Sequence, residues 1–415
     1  MTFKKALALL VALVLVAGLA ACNGDAPPPP SDQGTQNQGG ANPVTPGPGG
    51  QDGGAAGELT VLQIGVMAPL TGTNSEFGIG FEVAMQMAVD DINARGGTSN
   101  GYTFELIVRD TRGEPMESAD TAREFADDPN IMAILGDFTS GSSMAAAPIV
   151  DEAGIVLLSP TASSPEFAPM SDFTFGIMGL QSGEAPWYAE FIIQRFLGKS
   201  TVGVIYVNSD WGISSFTHFE ARAEAIGLDI VEAVNYVPDE MDFSALITRL
   251  RAADPEVVVI LDQGAVPLII NQIRGVGWDV PLSALGPGTS AQLLEQAGEN
   301  AEGLVVPSPF FFDPENPQLV EWAQRFESRA GFAPTVHPAS AYDTVMLIAA
   351  AVEAIGDGEV TRQAIRDNLA VIDQEVGITG PIRFNPTGDL YREYLIAGIV
   401  NGEWVLLEGF GFADR

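Results

Sequence analysis

Cysteine and lysine are almost absent from this chain of 415 residues, and histidine occurs only twice. The single cysteine, Cys22, excludes a disulfide framework within the chain. No pair of histidines or cysteines has the spacing of metal ligands, because His218 and His337 lie far apart. A nucleophile elbow of the G-x-S-x-G kind is also missing, which argues against a hydrolase. We therefore expect no enzyme activity, no metal and no other cofactor.

Positive charge is also scarce. Nineteen basic residues stand against 54 acidic ones, which gives a net charge of −35, and lysine occurs only at Lys4, Lys5 and Lys199. This balance argues against binding to nucleic acid, or to an anionic membrane surface through the protein itself. A secreted, colloidally stable protein explains the acidity, and a saline habitat is the alternative explanation.

The amino-terminal segment has the pattern of a secretion signal. Lys4 and Lys5 precede an apolar run, Ala6 to Ala21, that is too short to span a bilayer comfortably. The tetrapeptide ending at Cys22, Leu-Ala-Ala-Cys, resembles the lipobox of bacterial lipoproteins, in which the cysteine is lipidated and becomes the mature terminus. We predict a signal peptide at 1–21 and an extracytoplasmic protein held to the membrane only through Cys22. An ordinary cleaved signal is the alternative.

The next segment, 22–57, is rich in Pro, Gly, Gln and Asn and contains little that could be buried, so we expect a disordered tether. From Leu59 onward, strand and helix patterns alternate, which is typical of parallel sheets covered by helices. The length of the chain favours two lobes. The predicted fold class is α/β, with two Rossmann-like lobes.

The stretch from Ile131 to Phe167 contains two strands, each of which ends in a turn rich in hydroxyl groups. Ser140 belongs to the first turn, and Thr161 and Ser163 belong to the second. If the strands are parallel, both turns lie at the carboxyl edge of one sheet, where open α/β sheets bind ligands. Hydroxyls and free N–H groups at a helix start suit a carboxylate, although ordinary caps and turns would have the same composition.

Two aromatic residues are candidates for the other side of the same site. Phe77 follows a long first loop containing Gly72 and Gly78, which we expect to fold over the sheet edge beside the two turns. Trp211 opens a helix in the second lobe, and Asp262 ends another strand there. Together these side chains predict a cleft that encloses a small ligand with a polar head.

Most of the chain, from about Leu59 to Gly409, resembles the type I periplasmic binding proteins of the leucine/isoleucine/valine-binding kind. These are the extracytoplasmic receptors of branched-chain amino acid ABC transporters. The resemblance rests on short stretches that occur in the right order: Ile64-Gly65-Val66, Pro69-Leu70-Thr71-Gly72, Phe77-Gly78, Ala88 to Ala94, Gly96-Gly97, Gly136, Ser140, Ser159 to Ala162, Asp210-Trp211-Gly212, Phe243-Ser244, Gln272 to Arg274, Ala301 to Gly303, Ala341-Tyr342-Asp343 and Gly380 to Phe384.

The resemblance implies two lobes that are each discontinuous in sequence and close about a hinge made of three crossings. The expected crossings lie near Gly179, Pro307 and Asn385. They divide the chain into an N-terminal lobe (58–178 and 309–384) and a C-terminal lobe (179–308 and 385–415). The implied ligand is an amino acid or related carboxylate, and the implied partners are the permease subunits of an ABC transporter.

The resemblance also implies site residues. The positions of Ser140 and of the turn from Thr161 to Ser163 hold the ligand carboxylate, while aromatic side chains match Phe77 and Trp211. The acid that commonly pairs with the ligand ammonium is replaced by Gly288 in this sequence. Since a buried ammonium needs a counter-charge, either Asp262 or Asp210 substitutes, or the ligand is an amide, a short carboxylate or an aromatic acid. A ligand-sensing receptor is the competing function.

Overall fold

The computed structural model describes residues 59–286, 291–374, 377–390 and 392–408. The predictions for the signal peptide, Cys22, the tether and Gly288 therefore concern residues outside the described part of the chain. The described residues form an α/β fold built on two main sheets, as the alternating pattern predicts.

The first sheet has five strands in the order β2-β1-β3-β4-β5. Its strands are β1 (Thr60–Ala68), β2 (Tyr102–Asp110), β3 (Ile131–Leu135), β4 (Val156–Ser159) and β5 (Thr174–Gly176). All of their pairings are parallel, so the turns that follow β3 and β4 lie at one edge of the sheet. This confirms the geometric premise from which the candidate site was predicted.

The second sheet has seven strands in the order β14-β13-β10-β9-β8-β6-β7. Its members are β6 (Thr201–Val207), β7 (Asp229–Tyr236), β8 (Val257–Leu261), β9 (Leu282–Leu285), β10 (Val305–Ser308), β13 (Leu395–Val400) and β14 (Glu403–Glu408). The hairpin of β13 and β14 is antiparallel and lies at one edge. A third sheet is small and pairs β11 (Asp373–Gln374) with β12 (Ile382–Arg383).

Helices connect the strands and cover the sheets. They are α1 (Ser75–Ala94), α2 (Pro115–Asp127), α3 (Ser140–Ala153), α4 (Gln181–Trp187), α5 (Asp210–Ile226), α6 (Ser244–Ala252), α7 (Val266–Gly275), α8 (Ala291–Ala297), α9 (Pro317–Ala330), α10 (Val336–Ile355) and α11 (Arg362–Leu369). The sequence pattern predicts one helix from Glu184 to Phe196. The structure instead begins α4 three residues earlier and continues it as a π-helix, Tyr188–Phe196.

The two main sheets have separate main cores, and a smaller apolar cluster of α2 and α3 covers the other face of the first sheet. Strands β1 to β5 share a core with α1, α9 and α10, whereas β6 to β10 share another with α5 to α7. Helix α10 is long and apolar enough to cross a membrane, but 72% of its most apolar window is buried inside the fold. It is therefore the central helix of the first core, where it packs against α1.

The chain passes between the two cores three times. The first passage lies between β5 and α4, and the second lies between β10 and α9. In the third passage, Leu390 still packs with the first core, while Ile396 packs with the second. Between them, the half-buried Arg392 donates hydrogen bonds to the carbonyl oxygens of Ile177 (Nη2–O 2.9 Å) and Thr379 (Nη1–O 2.9 Å), so it fastens the third passage to the first.

Candidate functional site

The turn between β3 and α3 is shaped by a glycine and a cap. Gly136 has φ +123°, and a Cβ at this position would clash with the carbonyl oxygen of Met67. Thr139 then caps α3, because its Oγ1 accepts a hydrogen bond from the backbone N–H of Ser142 at 3.1 Å. These two features fix Ser140 at the first position of the helix.

Ser140 ties this turn to the loop that follows β4. Its Oγ accepts hydrogen bonds from the backbone N–H groups of Ser163 (3.3 Å) and Ser164 (3.2 Å). The Thr161 hydroxyl donates to the carbonyl oxygen of Phe138 at 2.7 Å, which makes a second link between the turns. The two predicted turns are thus joined by hydrogen bonds into one unit. The hydroxyl hydrogen of Ser140 is not engaged in these bonds, whereas that of Thr161 is donated to Phe138.

The first loop folds over this unit as predicted. A Cβ at Gly78 would clash with the carbonyl of Pro69, so the close return of the loop requires glycine there. Phe77 stacks on Phe138 with their ring centroids 4.3 Å apart. His337 packs edge-on against Phe77 at 5.1 Å. Burial lowers the pKa of His337 to about 3, so its ring is neutral at physiological pH.

Trp211 connects the two lobes at this place. Its indole Nε1 donates a 3.2 Å hydrogen bond to Oγ of Ser163, which leaves the hydroxyl hydrogen of Ser163 available. Trp211 is held in turn by Gln181, whose Nε2 donates to its carbonyl oxygen at 2.8 Å.

Two further contacts cross between the lobes. Thr73 Oγ1 donates to Asp239 Oδ1 at 2.7 Å. The carboxylate of Asp210 lies beside Gly141 at the start of α3, where an ideal Cβ would be 2.9 Å from Oδ2. An acid at a helix N-terminus is electrostatically favourable, so this contact accounts for the position of Asp210 without a ligand.

Two cavities lie between the lobes, and both Trp211 and Gln263 line each of them. The outer one, here called the cleft, measures about 1100 Å³ and includes Phe77, Trp211 and Asp262 in its lining. The inner one, here called the recess, measures about 30 Å³ and includes Thr161, Ser163 and Trp211. The recess has room for one or two water molecules in this conformation.

The structure therefore brings five of the six predicted ligand-binding residues to the walls of the two cavities. Ser140 lines neither cavity and acts on the backbone of the second turn. Asp262 lines only the cleft, and its Oδ1 accepts hydrogen bonds from the backbone N–H groups of Gly264 (2.8 Å) and Ala265. This carboxylate also organises the loop before α7.

Three residues of the site escaped the sequence reasoning. Phe138 and His337 reach the recess from the turn after β3 and from α10, and Glu184 reaches it from the first turn of α4. Burial raises the pKa of the Glu184 carboxyl to about 8. The only signal for Glu184 in the sequence is an acid at the start of a predicted helix, which is typical of many surface helices. Among the described residues, no group of three or more His, Cys, Asp or Glu side chains could hold a metal ion.

Comparisons with known proteins agree with this fold. The family model described as periplasmic binding protein matches residues 61–403. The leucine-, isoleucine-, valine-, threonine- and alanine-binding protein of Pseudomonas aeruginosa is 25% identical over 337 residues, which cover 79% of this chain and 87% of the relative. Leu/Ile/Val-binding protein homolog 1 of Brucella suis is 28% identical over 303 residues, covering 71% of this chain and 79% of the relative.

A solved structure is similar as well. The ABC transporter substrate-binding protein from Desulfitobacterium hafniense, in complex with Leu, superposes with a TM-score of 0.69 at 27% sequence identity. The match covers 84% of this chain and the whole of that one. Because the family model spans most of the described residues and the two-lobed fold agrees with it, the chain belongs to the periplasmic binding protein family.

Proposed function

We propose that this protein captures a small ligand with a polar head, an amino acid or a related carboxylate, and delivers it to an ABC transporter. The observation that carries this proposal is the bond between Trp211 and Ser163. It joins an aromatic side chain of one lobe to a hydroxyl-rich turn of the other, in the place where a ligand would be enclosed. The relatives named for leucine, isoleucine and valine binding favour the amino acid.

The proposed carboxylate site is the unit formed by the two turns. Ser163 carries a hydroxyl hydrogen that its bond to Trp211 does not use, and it lines the recess. Thr161 lies beside it. On binding, the Thr161 hydroxyl would donate its hydrogen bond to the ligand carboxylate in place of the Phe138 carbonyl oxygen. We assign Ser140 to positioning the second turn, because its hydroxyl oxygen accepts hydrogen bonds from the backbone N–H groups of Ser163 and Ser164. Phe77 and Trp211 supply the apolar enclosure.

We further propose that the two lobes open and close about the three passages of the chain. We keep the lobe limits that the resemblance implies, but we propose that the third crossing lies between Leu390 and Leu395 rather than near Asn385, because Leu390 packs with the first core. The recess is too small for an amino acid in this conformation, so ligand entry requires the lobes to part and Trp211 to leave Ser163. Hinge closure around a ligand is a common device in binding proteins.

The protein acts, in this proposal, outside the cytoplasm and without chemical conversion of its ligand. Cys22 would carry the lipid that anchors it, and the permease subunits of the transporter would be its partners. The family description and the binding functions named for its relatives support an extracytoplasmic carrier. Metabolic labelling with a palmitate analogue tests the anchor, since a Cys22→Ser variant that still takes up label would refute it.

Calorimetry on the purified mature protein tests the ligand class. We expect heat of binding with at least one of leucine, isoleucine, valine, threonine and alanine. The same panel includes 4-methylpentanoate and benzoate, which carry a carboxylate but no ammonium, and an aliphatic amide. Absence of heat with every compound would contradict the proposal. Hydrolysis of the amide would show instead that the protein is an enzyme.

A further inference from the structure

The carboxyl group of Glu184 lies in the recess without an evident role in holding the fold together. This residue lies in the first turn of α4, one helical turn before Tyr188, and is 9% exposed. The start of α4 is held against the second hydroxyl-rich turn, because the backbone N–H of Gln181 donates to the carbonyl oxygen of Ser163 at 2.9 Å. Glu184 therefore lines the same small cavity as Thr161 and Ser163.

The carboxyl group of Glu184 lacks a partner within the described part of the chain. No hydrogen bond or ion pair reaches it there, and burial is the one cause of its raised pKa. A buried acid without a donor or counter-charge is destabilising, since removing a charge from water costs several kcal/mol in proteins. Such a group at a ligand cavity is a candidate for a functional role.

The described lining of the recess also contains no competing positive charge. Neither lysine nor arginine occurs among the described residues that line it, and His337 is neutral. The described lining of the recess thus combines hydroxyl groups, among them those of Thr161 and Ser163, with a single acid, Glu184. This arrangement complements a zwitterion, whose carboxylate and ammonium are separated by one carbon atom.

Asp262 and Asp210, the two acids that the sequence suggested for the ammonium, are already engaged. Asp262 accepts two backbone N–H groups and faces the cleft, and Asp210 lies at the N-terminus of α3. Both lie on the outer side of Trp211, since they line the cleft and are absent from the described lining of the recess.

We propose that Glu184 is the residue that pairs with the ammonium group of the ligand, and that this protein therefore selects α-amino acids over the corresponding deaminated acids. The inference rests on the proposed function and narrows its ligand class. It assigns the counter-charge to a helix that enters the second lobe directly after the first crossing. Glu184 is then a specificity-determining residue at the inner end of the site.

Ligand binding should be accompanied by a measurable release of protons. Because the pKa of Glu184 is about 8 in the ligand-free protein, the carboxyl is largely protonated at pH 7. An ammonium beside it lowers this pKa, so binding at pH 7 releases up to about 0.9 proton per ligand. The titratable groups that face Glu184 are Tyr188, Tyr394 and His337. None of them changes charge near pH 7, because burial raises the pKa of both tyrosines and lowers that of His337.

The test compares the wild-type protein with Glu184→Gln by calorimetry at pH 7, using leucine and 4-methylpentanoate. Loss of one partner of a buried charge pair weakens binding by roughly 30-fold or more, so we expect that loss for leucine. Binding of 4-methylpentanoate should change by less than about threefold. Titrations in buffers of different ionisation enthalpy should detect proton release in the wild type and none in the variant.

Matched variants make the outcome decisive. Glu224→Gln removes an exposed acid from α5 and should bind leucine as the wild type does. Asp262→Asn and Asp210→Asn each remove one further acid from the lining of the cleft. Glu184→Asp keeps the charge and should retain proton release, which covers the case in which Glu184→Gln fails to fold.

Several results would overturn the inference. Unchanged leucine binding in Glu184→Gln, equal weakening of both ligands, or loss of ammonium selectivity in Asp262→Asn alone would each remove Glu184 from the proposed role. A wild-type protein that binds 4-methylpentanoate or benzoate but no amino acid would overturn this inference and leave the carboxylate site standing. A wild-type protein that binds nothing on the panel would refute the proposed function as well.

Discussion

The indole Nε1 of Trp211 donates to the hydroxyl oxygen of Ser163 across the space between the two lobes, at 3.2 Å. This bond lies where the recess and the cleft meet, since Trp211 lines both cavities, and it joins two residues that are 48 positions apart in sequence. Opening of the lobes would break this bond and give access to the recess. Several consequences can be measured in solution.

Ser163→Ala should shift the ligand-free protein towards an open form. A typical intramolecular hydrogen bond contributes about 0.5–1.5 kcal/mol, so its loss changes the ratio of open to closed forms by up to about tenfold. Small-angle X-ray scattering should record a larger radius of gyration for the variant. Ser171→Ala, which alters an exposed hydroxyl far from Trp211, serves as the control. Identical scattering from all three proteins would show that the bond does not govern opening.

Trp211→Ala should weaken binding of leucine by more than tenfold, whereas Trp211→Phe should weaken it only a few-fold. The alanine variant removes the aromatic side chain that lines both cavities, whereas the phenylalanine variant removes the N–H donor and part of the ring system but keeps an aromatic ring. A buried aromatic side chain contributes chiefly through the area that it covers. Calorimetry at one temperature and pH measures both effects. Equal losses in the two variants would assign the main role to the N–H group instead.

The stacked pair of Phe77 and Phe138 should support the stability of the first lobe. Phe138 is 2% exposed and contacts Phe77, Phe81 and His337. Its replacement by alanine should lower the free energy of unfolding by about 3–5 kcal/mol, because it leaves a cavity under the site. Denaturant titration gives this value, and Met116→Ala, at a side chain that is 80% exposed, should have almost no effect. A change below 1 kcal/mol for Phe138→Ala would show that the site can collapse around the gap.

Glu184 should make the stability of the ligand-free protein decrease as the pH rises. Its pKa is raised from 4.5 in a model compound to about 8 in the fold, so the folded state holds a proton that the unfolded state has already lost between these values. The free energy of unfolding therefore falls across this window and levels off above pH 8. Glu184→Gln should remove that part of the slope. Asp389, whose pKa burial raises to about 7, contributes equally in both proteins and cancels in the comparison.

Denaturant titrations at pH 5, 6, 7 and 8 provide the comparison. The stability of the wild type should fall more steeply than that of the variant. Parallel curves would mean that the Glu184 carboxyl is solvated in the ligand-free protein. In that case its burial could not drive proton release on binding.

The fold was largely predictable from the sequence, because strand and helix patterns alternate clearly and the two hydroxyl-rich turns end neighbouring parallel strands. Local patterns also located Trp211 and Phe77. They could not reveal that Trp211 bonds to Ser163 or that Phe77 stacks on Phe138, since both contacts depend on how distant segments pack.

The position of Glu184 in the recess was even harder to predict from the sequence. An acid in the first turn of a helix is usually solvated, and the amphipathic pattern around it does not indicate which end of α4 is buried. Its role becomes visible only when the first crossing places α4 beside the loop of Ser163. The prediction of Asp262 or Asp210 as the substitute acid was based on strand ends alone. It therefore named acids of the cleft and not the acid in the recess.

A crystal structure of the mature protein with bound leucine at pH 8 tests the central claim most directly. The account predicts a ligand enclosed between the lobes, with its carboxylate hydrogen-bonded to Ser163 and its ammonium within ion-pair distance of Glu184. Trp211 should have turned from Ser163 onto the ligand side chain. A ligand bound outside the two cavities, or one whose carboxylate contacts neither Ser163 nor Thr161, would contradict the account.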